Sequence, residues 1–221
     1  GSVVEAPVVD NNGWIWSTKN ERGHVTGYGY DLMGRITSIT PPSDPTNTWS
    51  STSITFAPIA TPVMGLGTGH WKQSLTRGAY QQDTYFDALW RPVLVHESGS
   101  GLNRYSVKSW DLMNREYFSA YPRSALTDVA EATTGVRRNF DALGRQWSES
   151  ASSELGALTT QIAYLTGFRK RITNPRGKAT TLSFLAWDQP VEELPVIVEA
   201  PASSAPRKMY GKHRTLLTWF G

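Results

Sequence analysis

The sequence predicts an all-β fold of short strands joined by tight turns. The first observation is a hexad that recurs: Tyr30-Asp31-Leu32-Met33-Gly34-Arg35, Phe86-Asp87-Ala88-Leu89-Trp90-Arg91, Trp110-Asp111-Leu112-Met113-Asn114-Arg115 and Phe140-Asp141-Ala142-Leu143-Gly144-Arg145. The second is composition: nine Trp and nine Tyr stand among 221 residues with 19 Gly and 13 Pro, and 19% of residues are charged. Aromatic and β-branched residues suit pleated, half-buried surfaces, and Gly and Pro punctuate turns. The third is that strand-like runs lie on both sides of each hexad, so a full unit reads turn, strand, turn, strand.

The hexad has a physical reading as the corner of a hairpin. An Asp at the first position of a type I turn hydrogen-bonds a backbone N–H two residues on. A Gly at the fourth position takes a positive φ without a Cβ penalty. Asp31, Asp87, Asp111 and Asp141 are therefore structural turn residues, with Gly34, Asn114 and Gly144 at the left-handed position. Asn tolerates that conformation and Trp does not, so the turn at Asp87 is expected to be of another type. The hexad arginines are expected to reach carbonyls or neighbouring Asp residues across the sheet.

Weaker copies follow at Tyr164-Leu165-Thr166-Gly167-Phe168-Arg169 and Phe184-Leu185-Ala186-Trp187-Asp188-Gln189, giving intervals of 56, 24, 30, 24 and 20 residues between the leading aromatics. Such a period belongs to stacked supersecondary units. The long first interval holds a Pro/Ser/Thr-rich insertion at about 41–70, whose centre, TSITFAPI, reads as a short edge strand. A second mark precedes two copies: Gly23 and Gly177 each follow an Arg, seven residues before Tyr30 and Phe184.

These motifs resemble the YD repeat of the Rhs family. The likeness runs from about Trp14 to Pro190, and the stretches TYFDALWRPVL, LTTQIAYLTGF and ITNPRGKATT also look like bacterial Rhs proteins. Trp90 and Asn114 depart from the motif glycine, and the copy at Phe184 lacks its Asp, Gly and Arg. The resemblance implies stacked strand-turn-strand repeats in a curved, open part-shell sheet. In toxin-complex C components and Rhs effectors such sheets enclose a toxin, and in teneurins a similar shell belongs to an extracellular adhesion protein. Complete shells are much longer, so this chain is expected to be a fragment or a reduced member. No segment matching the family's plug and autoproteolytic aspartate site is found. The resemblance implies secretion or the cell surface.

A repeat domain is expected over 1–195, followed by a linker and basic tail over 196–221. The last fifteen residues hold Arg207, Lys208, Lys212 and Arg214 and no acid; the rest of the chain carries 18 basic and 19 acidic residues, a neutral body with no nucleic-acid footprint. No apolar run reaches the roughly 18 residues of a membrane helix, and the opening residues do not read as a signal peptide. There is no cysteine. His24, His70, His96 and His213 show no metal-ligand spacing, GLGTGH at 65–70 lacks the Lys of a phosphate loop, and no nucleophile elbow occurs. No cofactor, metal or catalytic residue is expected.

Two functions fit. One is a noncatalytic structural module that encloses or scaffolds a toxin or partner. The alternative is a module binding carbohydrate or a cell-surface protein through exposed Trp and Tyr, with Trp14, Trp16, Trp71 and Trp110 as candidates. Trp14 and Trp16 alternate with period two, placing both on one face of a strand. Burial in the sheet is the competing reading of these rings. Open sheet edges are expected to promote self-association.

Overall fold

The computed structural model describes residues 7–43, 46–185, 195–200 and 207–210. The fold is all-β and antiparallel, with one 3-10 turn at Val129–Glu131 among the described residues. It divides into two units, one of residues 1–110 with 120–133 and the other of 111–119 with 134–221.

The first unit is an open meander of nine strands: β1 (Val8–Val9), β2 (Ile15–Lys19), β3 (Val25–Tyr30), β4 (Ile36–Thr40), β5 (Thr52–Pro58), β6 (Trp71–Arg77), β7 (Tyr80–Phe86), β8 (Pro92–Gly99) and β9 (Leu102–Trp110). Each pairs with the next. The insertion supplies β5, which pairs with both β4 and β6. It is thus an interior strand, not the edge strand expected: its Thr and Ile residues find ladder partners on both sides.

The core of this unit is small. Tyr85 faces Leu94 and Leu94 faces Val107 across the sheet, which puts the three on one face. All three are buried, as are Ile59 and Leu66 of the insertion and Leu126 and Ala132 of the segment after β9. These two loops meet where the Val129 N–H donates to the Met64 carbonyl and where Asp128 lies against Gly65. Gly65 has a positive φ, and a Cβ there would fall 2.5 Å from Asp128 Oδ1, so only Gly lets the loops approach.

The second unit holds β10 (Glu116–Ala120), β11 (Gly135–Phe140), β12 (Gln146–Ser153), β13 (Gly156–Leu165), β14 (Arg169–Thr173), β15 (Ala179–Ser183), β16 (Ile197–Ala200) and β17 (Arg207–Tyr210). From β11 onward each pairs with the next. Arg138 reaches Glu116 at 2.9 Å and Arg137 lies over Phe118, which ties β11 to β10. The pairing of β15, β16 and β17 carries the sheet past residue 195. The remaining tail and the hexad positions 186–189 lie outside the described residues.

Candidate functional site

The repeated corner is one hydrogen-bonded device, and it occurs seven times among the described residues, starting at Asp10, Asn20, Asp31, Asp87, Asp111, Asp141 and Asn174. In each, the first residue's N–H donates to the carbonyl four residues on, and the fourth residue's N–H donates back to the first carbonyl, at 2.9–3.1 Å. The first side chain's Oδ1 accepts from the N–H groups two and four residues on, at 2.8–3.1 Å. The fourth residue has φ between 62° and 81°. This is a type I turn closed by a left-handed residue. Register shifts beside the corners at Asp10, Asp31, Asp87 and Asp141 are the accompanying bulges.

Gly34, Gly144, Gly23 and Gly177 occupy the left-handed position, as does Asn114 at φ 62°. The turn at Asp87 is not of another type. Trp90 takes φ 64° and makes the same bonds, because the bonding to Asp87 imposes the backbone despite the side chain. Two features escaped the sequence reading. Asp10 to Trp14 is a further copy, and the glycines at 23 and 177 belong to the same corner with Asn at its head. The legible signal was Asp or Asn three residues before Gly. Tyr164 to Arg169 is a different turn, in which Gly167 and Phe168 both have positive φ and Leu165 pairs with Arg169.

The arginines bond their own corner's aspartate instead of a neighbouring one across the sheet. Arg35, Arg91, Arg115 and Arg145 donate through Nε to Oδ2 of Asp31, Asp87, Asp111 and Asp141 at 2.7–2.8 Å. The four-residue offset and the turn bring the two groups together within each corner. Each carboxyl is held below the usual carboxylate range. The Arg backbone N–H is the largest cause at Asp31 and Asp111; at Asp87 and Asp141 burial pushes upward and the Arg bonds outweigh it.

Each guanidinium also covers an aromatic of the following strands. Arg35 lies over Phe56 at 4.7 Å, Arg91 over Trp110 at 5.9 Å, Arg115 over Phe140 at 4.7 Å and Arg145 over Tyr164 at 4.1 Å. Where that aromatic has a donor, it closes a second link. Trp110 Nε1–H donates to the Pro92 carbonyl at 2.9 Å and the Tyr164 hydroxyl to Gln146 at 3.0 Å, each at the first residue after a corner. Tyr30 does the same to Ile15 at 2.8 Å, beneath Trp14, which stands in the arginine position. The corners at Asp87 and Asp141 thus grip a later strand by both a stacked cation and a carbonyl, and those at Asp31 and Asp111 by the cation alone.

The carbohydrate candidates are not gathered into one platform. Trp14 belongs to a corner rather than a strand and packs on Tyr30 and Gly34. Trp16, on β2, is 60% exposed. Trp110 is tied beneath Arg91. Trp71 instead joins Phe56 and Trp90, with centroid separations of 5.0, 5.3 and 5.4 Å. Beside Phe56 lies a cleft of about 370 Å³, lined in part by Asp31, Arg35, Ser53, Thr55 and Gln73.

Among the described residues no three His, Asp or Glu side chains are grouped to hold a metal, and no helix is long and apolar enough to cross a membrane. Buried Asp83 accepts from Gln81 at 3.1 Å and lies 3.7 Å from Lys72 Nζ.

No protein-family profile and no curated protein sequence matches the chain. One solved structure, a Tc holotoxin pore of Photorhabdus luminescens mutated in its TccC3 component, is similar over 92% of this chain and 12% of its own, at 11% identity and a TM-score of 0.33. This chain therefore spans a small part of that one.

Proposed function

We propose that this chain is a noncatalytic structural module, a length of YD-repeat sheet that forms part of a shell enclosing or scaffolding a toxin or another partner. The supporting observation is the closure of the corners. The polar residues that recur most regularly, the aspartates and their arginines, are bonded to each other and to the turn backbone. They serve the sheet and present no acid, base or nucleophile for chemistry. Secretion or display at the cell surface fits this role, and open strand edges make a second copy a natural partner. Light scattering over a concentration series then reads a mass above the 24.5 kDa monomer.

The test is protease protection in the natural open reading frame that contains this chain. The enclosure reading expects any segment expressed with it to resist digestion until the corner aspartates are replaced by alanine. Digestion at the same rate with and without the repeat sheet overturns it. So does turnover of an ester, glycoside or peptide that one Asp or His substitution abolishes without unfolding the protein.

A further inference from the structure

We propose that one rim of the second unit, carrying Leu112, Met113, Leu143 and Phe168 at its hairpin tips, docks on an anionic phospholipid surface. Arg115 lies over Phe140, so the Asp111 and Asp141 corners stand side by side. The pairings Ser148 with Gln161 and Leu165 with Arg169 bring the turn at Gly167 and Phe168 to the same end of the strands as Leu143. All four apolar side chains are exposed. The opposite ends of these strands are different in kind, with Glu154 and Leu155 at one tip and Pro175 and Arg176 at the other. The turns do not require the apolar residues. Corners of the same bonding carry Asn11 and Asn12, or Glu21 and Arg22, at the equivalent tip positions. Phe168 stands at φ 52°, a costly conformation for a bulky side chain, and its ring is left toward solvent. Strain of this kind collects at functional sites.

Spacing and charge select the occupant. Hairpins two strands apart hold their tips roughly 10 Å from each other. Separate tips do not make the close-packed patch of about 800 Å² that each partner of a stable dimer contributes. A fluid acyl layer closes around each tip on its own. Behind the tips lies a layer of cations and rings, with Arg115 on Phe140 and both Arg145 and Lys170 on Tyr164. Apolar tips backed by Arg, Lys and Tyr follow the depth order of a bilayer interface, hydrocarbon first and headgroups next. The sign of the charge picks the lipid. Asp111 and Asp141 are held by Arg115 and Arg145. The hairpin of β13 and β14 carries Arg169, Lys170 and Arg171, with no acid anywhere in residues 156–173. Basic residues at a membrane surface favour anionic lipids.

The two rims supply matched variants. Leu112 is 97% exposed on the proposed rim and Leu155 is 93% exposed on the opposite one, so Asn at either leaves the interior untouched. Phe168→Gly relieves the backbone at its tip. The experiment is co-sedimentation of the full chain with vesicles of equal parts phosphatidylcholine and phosphatidylglycerol, with pure phosphatidylcholine vesicles alongside. The wild-type protein is expected to sediment with the mixed vesicles and several-fold less with the neutral ones. Combining Leu112→Asn, Leu143→Asn and Phe168→Gly is expected to weaken partition at least tenfold with the melting midpoint unchanged, and Leu155→Asn to leave it as it was. If the combined variant lowers the midpoint, Leu112→Asn and Phe168→Gly singly carry the test, each with a several-fold loss. No sedimentation with the mixed vesicles, equal binding to neutral ones, unchanged partition in the rim variants, or the same loss in Leu155→Asn overturns the proposal. So does a rim that proves to be an interface between copies, read as rim variants lowering the mass in light scattering while vesicle binding is absent. None of these outcomes depends on the enclosure reading, which concerns protection of a neighbouring segment.

Discussion

Strand β3 carries a corner at each end, and at the head of the two corners an amide stands against a carboxylate. At Asn20 the side-chain oxygen accepts the Arg22 and His24 N–H groups, both at 3.0 Å, and Gly23 sits at φ 80°. At Asp31 the oxygen accepts from Met33 and Arg35 at 2.9 and 3.0 Å, and Gly34 sits at φ 78°. The backbones are the same. An amide nitrogen at Asn20 stands where Asp31 has a second oxygen, and that oxygen binds Arg35, which in turn covers Phe56. Turning the chain needs only one acceptor oxygen. Holding the next repeat needs the carboxylate. The tips differ as well: Leu32 and Met33 are exposed and apolar, whereas Glu21 and Arg22 are exposed and charged.

The most enclosed ion pair should show the largest effect. The Asp87 and Arg91 side chains are 18% and 15% exposed. Asp87→Ala removes two backbone bonds and takes the carboxylate from a half-buried guanidinium, so a loss of about 2 kcal/mol or more in chemical denaturation is expected. A loss no larger than that of Asn174→Ala breaks the distinction between the two kinds of corner. Gly144→Val comes next. At φ 80° a β-branched residue is strained although nothing crowds its Cβ, and a cost of about 1–2 kcal/mol is expected in the melting midpoint. An unchanged midpoint contradicts it.

A smaller effect separates Gly34 from Gly23. Both need a positive φ, but a Cβ at Gly34 meets the Trp14 ring at 3.0 Å, while one at Gly23 meets only Lys19 at 3.6 Å. Gly34→Ala should therefore cost roughly 1 kcal/mol more than Gly23→Ala. Equal costs show that Trp14 yields and that corners do not pack tightly on one another. The smallest effect at neutral pH is Asp31→Asn, which makes one corner like the other. The turn survives, and the tie from Arg35 to Phe56 loosens. The nuclear magnetic resonance signals of the Phe56 ring should shift while the Met33 amide stays protected; an exposed Met33 amide would show that the turn itself needs the charge.

Much of the fold was legible because the corner is local. Five consecutive residues contain the turn's backbone pairing and its side-chain acceptor, so Asp31, Asp111 and Asp141 could be read as corners directly. The Asp87 corner was misread because residue propensity was set against the turn without the hydrogen bonds that override it. Asn20 and Asn174 were less legible as heads because their corners lack the leading aromatic, the Asp and the Arg that mark the hexad, following Lys19 and Thr173 and ending at His24 and Lys178. The arginine stacks and the carbonyl links of Tyr30, Trp110 and Tyr164 join residues 15 to 25 apart. Their partners depend on strand register, which a single sequence does not specify. The Phe56, Trp71 and Trp90 cluster was hidden for the same reason: it needs β5 in the interior of the sheet.

The central claim is that carboxylate corners lock neighbouring repeats while amide corners only turn the chain. Since the folded carboxyls titrate below their unfolded value, their contribution is present above about pH 4 and is lost as pH falls through the depressed values. A nuclear magnetic resonance titration from pH 6 downward, following the Arg35 Nε–H, the Phe56 ring and the turn amides, tests this directly. The Arg35 Nε–H and the Phe56 ring signals should change as the pH falls below about 4, while the Met33 and Arg35 amides stay as protected as the Arg22 and His24 amides of the Asn20 corner at the other end of the same strand. An Arg35 Nε–H and a Phe56 ring unmoved once the Asp31 carboxyl is protonated, or loss of protection at the Met33 amide, would contradict the account.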